Sequence, residues 1–168
     1  MTAPTIPIAL TTEHAHGSTI ETDMVIIGAG PVGIFAVFEA GLLGLKCHLI
    51  DNLDKIGGQC AELYPEKPIF DIPAVPSCTG QELIDRLMEQ AAPFDPVYHL
   101  NEQAETLTRL ENGPCPLVTS AGTTFETPNI VIAAGAGSFV PRRIPLPGAE
   151  GFEGRSLHYA VRRMDDFK

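Results

Sequence analysis

No two cysteines of this 168-residue chain stand in a C-x-x-C: Cys47, Cys60, Cys78 and Cys115 are separated by 13, 18 and 37 positions. A zinc knuckle or a thioredoxin-type dithiol requires that short spacing, so neither is expected. Four cysteines are also too few for a disulfide-stapled secreted domain. Cations are scarce, 11 Lys and Arg against 21 Asp and Glu, for a net charge of −10. That balance argues against nucleic-acid or anionic-membrane binding, both of which need clustered cations. No run approaches the roughly 20 apolar residues of a membrane span. The first 19 residues hold no Lys, no Arg and no long apolar stretch, so they do not read as a signal peptide. A cytoplasmic protein is the expectation.

What is present fits a globular α/β protein. Hydrophobic residues make up 44% of the chain, and its length suits one domain or one domain plus part of another. Residues 1–21, rich in Thr, Pro and Ala, read as a disordered leader, and His14 and His16 within it as solvated side chains rather than a metal pair. Order is expected from Thr22. Met24–Ile27 is a short apolar run ending in glycine, the pattern of a strand buried on both faces. Pro31 suits the first position of a helix, and Val32–Leu43 is apolar almost all round, predicting a deeply packed helix that Gly44 ends. Lys46–Ile50 reads as a second strand, completing a βαβ unit.

A second helix is expected over Ser77–Gln90, with Thr79 and Glu82 as a capping box and Leu83, Ile84, Leu87 and Met88 as its stripe. Pro93 ends it. Val97–Leu100, Ala104–Leu110, Pro116–Ser120 and Thr123–Glu126 read as short strands, with a tight turn at Asn112-Gly113. Asn129–Ala134 reads as another buried strand stopping in glycine. The prolines at 141, 145 and 147 exclude a helix or central strand there, so that segment reads as a linker.

Gly28-Ala29-Gly30-Pro31-Val32-Gly33 is a G-x-G-x-x-G between a predicted strand and a predicted helix. Gly28 permits the turn, Gly30 lets the backbone approach a pyrophosphate, and Gly33 lets helix and strand pack closely. The helix N-terminus offers unpaired N–H groups and partial positive charge to phosphates. Asp51 ends the next strand 23 positions after Gly28, near the expected ~20. A carboxylate there accepts from ribose hydroxyls and repels a 2′-phosphate, which points to FAD or NAD rather than NADP. Gly57-Gly58-Gln59 offers a backbone free of side chains beside a flat cofactor. The Ala133–Gly137 stretch offers another close approach but no second fingerprint, because Pro141 blocks a following helix.

Gly28–Gly33 together with Ile56-Gly57-Gly58-Gln59-Cys60-Ala61-Glu62-Leu63-Tyr64-Pro65-Glu66-Lys67-Pro68 resembles the thioredoxin-reductase-like type of ferredoxin–NADP reductase. Phe94-Asp95, Ala133–Phe139 and His158-Tyr159-Ala160-Val161 extend the resemblance, which runs from about Thr22 to Lys168. It implies a Rossmann-like FAD-binding domain with a parallel sheet and a small antiparallel β-meander. It also implies FAD as cofactor, NADPH as substrate of the full-length enzyme, ferredoxin or flavodoxin as acceptor, and a homodimer. Asp51 would hold the adenosine ribose, Gln59 and Tyr64 would contact the flavin half, Ala104 would meet the adenine through its backbone, and Phe139 would line the cofactor. Residues 22–140 would form the first segment of the FAD domain, and 141–168 a linker toward an NADPH domain that this chain lacks. No side chain is expected to act as nucleophile or general base, and no metal is expected. The basic stretch from Arg142 onward is a candidate for steering an acidic acceptor.

A chain with part of its cofactor contacts missing should expose an apolar face and a sheet edge. Poor solubility or weak flavin retention is therefore expected. A preparation that runs as a yellow monomer through gel filtration would contradict this.

Overall fold

The computed structural model describes residues 19–108, 113–137 and 142–159. Within them the elements run β1 (Thr19–Glu21), β2 (Met24–Ile27), α1 (Pro31–Leu42), β3 (Cys47–Asp51), α2 (Gly58–Glu62), β4 (Pro68–Ile69), β5 (Cys78–Thr79), α3 (Gly80–Ala91), β6 (Val97–Leu100), β7 (Ala104–Leu107), β8 (Cys115–Thr119), β9 (Thr124–Thr127) and β10 (Asn129–Ile132). Single 3₁₀ turns lie at Ala92–Phe94 and Ala149–Phe152.

A four-stranded parallel sheet in the order β10-β2-β3-β6 carries the fold. Side chains alternate across a strand, so each strand feeds two cores. Ile26, Leu49 and Tyr98, level with one another in the register, point toward α1 and α3. Val25 and Ile50 point to the other side and meet Leu117 and Phe125 of a second sheet. That second sheet, β1-β9-β8-β7, contains the expected antiparallel meander of β7, β8 and β9. The result is three layers: helices, parallel sheet, mixed sheet.

Local chemistry explains the helix ends. Pro31 opens α1, where its missing N–H has no partner to lose. Gly44, at φ +76°, closes it by donating to the Gly41 carbonyl. Thr79 caps α3: its hydroxyl accepts from the Glu82 N–H at 3.1 Å, and the Glu82 carboxylate accepts from the Thr79 N–H at 2.8 Å. The capping box thus forms as read, although α3 starts three residues later than the helix expected from Ser77.

Several expectations need correction. The leader does not reach residue 21, because Thr19–Glu21 form a strand paired in parallel with β9. The pairing, not local propensity, makes this strand. Helix α1 is not packed all round: Gly33, Ile34, Val37 and Ala40 are buried, while Val32, Leu42 and Leu43 are 62–78% exposed. A helix on one face of a sheet needs a single apolar stripe, and no described element covers its outer side. Strand β10 is not buried either. Among the described residues it stands at the sheet edge, bonded only to β2, with Ile132 72% exposed. Helix α2 and the two-residue strands β4 and β5 were not expected. The turn at Asn112-Gly113 and residues 138–141 fall largely outside the described residues, as do His14 and His16.

Between the two sheets lies a pair of histidines. His48 Nδ1 and His99 Nε2 are 2.9 Å apart, their rings stack at 5.2 Å, and Phe125 sets its edge against both. His99 and Phe125 are fully buried. Tyr98, on the opposite face, donates to Met88 Sδ at 3.3 Å, and burial pushes its phenol up to about 12.

Because Phe125 fills the space between the sheets, Phe125→Ala is expected to cost about 3–5 kcal/mol. Removing the α3 cap by Thr79→Ala should cost only about 1 kcal/mol. Urea unfolding followed by circular dichroism measures both, and an equal cost for the two would contradict this core assignment.

Candidate dinucleotide site

Strand β2 ends at Ile27, and the chain turns at once into the glycine bend. Gly28 takes φ +106°, its N–H donates to the Ile50 carbonyl at 2.8 Å, and a Cβ there would lie 2.4 Å from the Ala133 carbonyl oxygen. Gly33 sits so close to the bend that a Cβ would come within 1.9 Å of the Gly28 oxygen. Both glycines are therefore required by packing.

Gly30 is different. A Cβ built on it meets no protein atom nearer than Gly58 Cα at 3.9 Å. The fold does not demand a glycine there; a side chain would simply project into the cleft in front of α1. That is the space a pyrophosphate would fill, facing the α1 N-terminus. There Pro31 has no N–H, the first intrahelical bond comes from Ile34 N–H to the Gly30 carbonyl, and no acidic side chain stands in the first turn.

Asp51 closes the bend from the neighbouring strand. Its Oδ2 accepts from the Ala29 N–H at 2.7 Å and its Oδ1 from the Leu53 N–H at 2.9 Å. A carboxylate has about four lone-pair sites, so capacity remains for ribose hydroxyls. The clamp on the glycine bend is a role that the sequence reading did not assign to it. The same β3 end takes the Glu102 N–H on the Asp51 carbonyl at 3.0 Å, which brings Glu102, Gln103 and Ala104 to the cleft. Thr119 Oγ1 donates to Glu102 Oε2 at 2.7 Å, and His99 Nδ1 lies 3.9 Å from Glu102 Oε1. The β7–β8 register slips between Ala104 and Thr106, a bulge beside the cleft.

Helix α2 supplies the other group. Gly57, at φ +122°, donates to the Ala29 carbonyl at 2.9 Å, and a Cβ on it would strike Ala61 at 2.5 Å. Gly58 backs onto the bend, its Cβ position only 3.0 Å from Gly30 Cα. Gln59 follows, and Tyr64 donates to Gln59 Oε1 at 3.4 Å with Lys67 Nζ 5.4 Å from its ring centre. Glu62, nearly fully buried, lines the same cleft and pairs with Lys55 across 3.4 Å. Lys55 and Glu62 were missed by the sequence reading, since an i, i+7 pair spanning a loop and a short helix has no pattern of its own. Cys60 also lines the cleft; burial, and then the nearby Cys78, pushes its thiol up, so it stays protonated. All four cysteines are free.

The cleft is about 570 Å³, within the size of small-molecule and cofactor sites. Of the predicted site residues it brings together Gly28, Gly30, Asp51, Gly58, Gln59, Tyr64 and Ala104, with Gly33 behind the bend. Phe139 falls outside the described residues. Ala133–Gly137 lines the cleft, and Gly135 and Gly137 adopt positive φ with open space at their Cβ positions. Among the described residues no group of three or more metal-ligating side chains converges, and no helix is long and apolar enough to cross a membrane.

A parallel sheet with its glycine bend at a helix N-terminus and a carboxylate closing the next strand defines a Rossmann-like dinucleotide-binding domain. The chain belongs to the pyridine nucleotide-disulphide oxidoreductase family, whose model matches residues 22–166. It is 61% identical over 150 residues to a ferredoxin–NADP reductase of Parvibaculum lavamentivorans, covering 89% of this chain and 44% of that protein. A ferredoxin–NADP reductase of Rhodopseudomonas palustris is 57% identical over 149 residues, with the same coverage. The chain thus spans less than half the length of these curated relatives. A solved thioredoxin reductase of Streptococcus pyogenes shares the fold at a TM-score of 0.61 and 22% identity, over 80% of this chain and 41% of that one. The relatives and the shared fold agree with the resemblance carried by Gly28–Gly33 and Ile56–Pro68.

The two kinds of glycine separate experimentally. Gly33→Ala is expected to abolish folding, whereas Gly30→Ala should keep the wild-type melting temperature and lose at least tenfold in dinucleotide affinity. Thermal melts and ligand titration of both variants check this.

Proposed function

We propose that this chain is the FAD-binding portion of a flavoprotein oxidoreductase that carries electrons from NADPH through the flavin to ferredoxin or flavodoxin. The observation that carries the reading is Gly30, a glycine at a helix N-terminus whose Cβ position would collide with no protein atom, the nearest being Gly58 Cα at 3.9 Å. The family match and the ferredoxin–NADP reductase relatives support the choice of FAD. Bound FAD would supply hydride acceptance and one-electron release; the protein binds, orients and tunes it.

In this reading the bend Gly28–Gly33 and the α1 N-terminus hold the pyrophosphate. Asp51 takes the adenosine ribose and the Ala104 backbone the adenine. Gly58, Gln59 and Tyr64 border the flavin half, with Tyr64 offering an aromatic face and a hydroxyl, and Phe139 lines the cofactor. Residues 22–140 then make up the first segment of the FAD domain, and 141–168 lead toward an NADPH domain. Arg143, paired with Glu153 at 3.0 Å, belongs to the basic stretch that would steer an acidic acceptor. A cytoplasmic homodimer completes the proposal.

The purified chain is expected to bind FAD one to one, seen as flavin fluorescence quenching, and to bind NAD more weakly. On its own it should not reduce an acceptor dye with NADPH. Binding of NAD without FAD would overturn the assignment in favour of a dehydrogenase fragment, and absence of both would favour a non-catalytic module.

A further inference from the structure

A buried carboxylate in a cofactor cleft is costly to keep charged, because water is replaced by a poorer solvent for ions. Glu62 is such a group. It is 6% exposed, ends α2, and lines the cleft with Gln59 and Tyr64. Its counter-ion is specific. Lys55, from the loop between β3 and α2, places Nζ 3.4 Å from Glu62 Oε2 and 2.6 Å from the Ala61 carbonyl. One ammonium therefore closes the end of α2 and neutralises the acid beside it. The Lys55 side chain is one-third exposed, so the pair spans from solvent to the cleft wall. Neither residue is needed to build the glycine bend, which is held by Asp51 and by the Gly57 N–H.

We propose that Lys55 balances the charge of Glu62 in the cleft wall, so that the carboxylate does not lower the reduction potential of the flavin. This rests on the reading of the site as an FAD site with its flavin half at Gln59 and Tyr64. The physical basis is that charge fixed in a low-dielectric wall acts strongly on electron density added to a neighbouring ring. A carboxylate there binds the reduced flavin less well than the oxidised form; an ammonium does the reverse. Held together, the two nearly cancel. Separated by mutation, they should act in opposite directions, which a purely structural contribution cannot do. The other carboxylates of the cleft, Asp51 and Glu102, are engaged by the Ala29 and Leu53 N–H groups and by Thr119.

The test is the midpoint potential of the FAD-loaded protein, measured by stepwise chemical reduction against indicator dyes, with no need for NADPH turnover. Lys55→Met removes the ammonium and should lower the potential; Glu62→Gln removes the carboxylate's charge and should raise it. Each is expected to change the relative affinity for reduced and oxidised flavin by roughly tenfold, about 30 mV for a two-electron couple. The double variant should return close to the unsubstituted value, and Lys55→Arg should not move it. If one variant fails to fold, the contrast between Lys55→Met and Lys55→Arg still decides. Potentials that stay fixed, or that shift in the same direction in both single variants, would overturn the proposal while a yellow protein keeps the FAD reading intact. An unsubstituted protein that never takes up FAD would instead overturn the FAD reading, and this proposal with it.

Discussion

The site depends on one carboxylate. Asp51 accepts the Ala29 N–H from the glycine bend and the Leu53 N–H from its own loop, and its carbonyl receives Glu102. Three segments far apart in sequence are thereby fixed around the end of β3. A charged acceptor makes stronger hydrogen bonds than a neutral one, so the glycine bend is held firmly by the anion set behind it. The same residue stands within the cleft. Its loss would loosen the bend, and in the proposed reading it would also remove the contact to the sugar.

The cleft walls follow from glycines of two kinds. Gly28, Gly33 and Gly57 are required where backbone meets backbone or Ala61, and a methyl group would collide. Gly30 has no such neighbour. The distinction between a glycine that the fold requires and one that it does not is invisible in a G-x-G-x-x-G pattern, which treats its positions alike. It appears only when the space around each Cα is measured.

Much of the architecture was legible in the sequence. The apolar run Met24–Ile27, Pro31, Thr79 with Glu82, and Asp51 are local signals with local causes, and the elements they mark are present. What was not legible depends on distant partners. Thr19–Glu21 is a strand because β9 offers it a ladder, and nothing in a Thr-Ile-Glu tripeptide announces that. Gly57-Gly58 carries no helix signal, since glycine is a poor helix former, yet α2 begins at Gly58, with Gly57 donating to the Ala29 carbonyl. The apolar residues of α1 were overcounted as core, because periodicity reports hydrophobicity and not what lies opposite. Lys55 and Glu62 meet only through the turn that α2 makes.

The pairing of β1 with β9 and of β2 with β10 has a consequence for how the chain is made. Thr19 must wait for Thr124, and Met24 for Asn129, so more than a hundred residues leave the ribosome before either sheet can close. Parallel ladders of such span form slowly. During that interval the nascent polypeptide presents an unsatisfied Val25-Ile26 edge to its surroundings, a template for wrong pairing until β10 arrives.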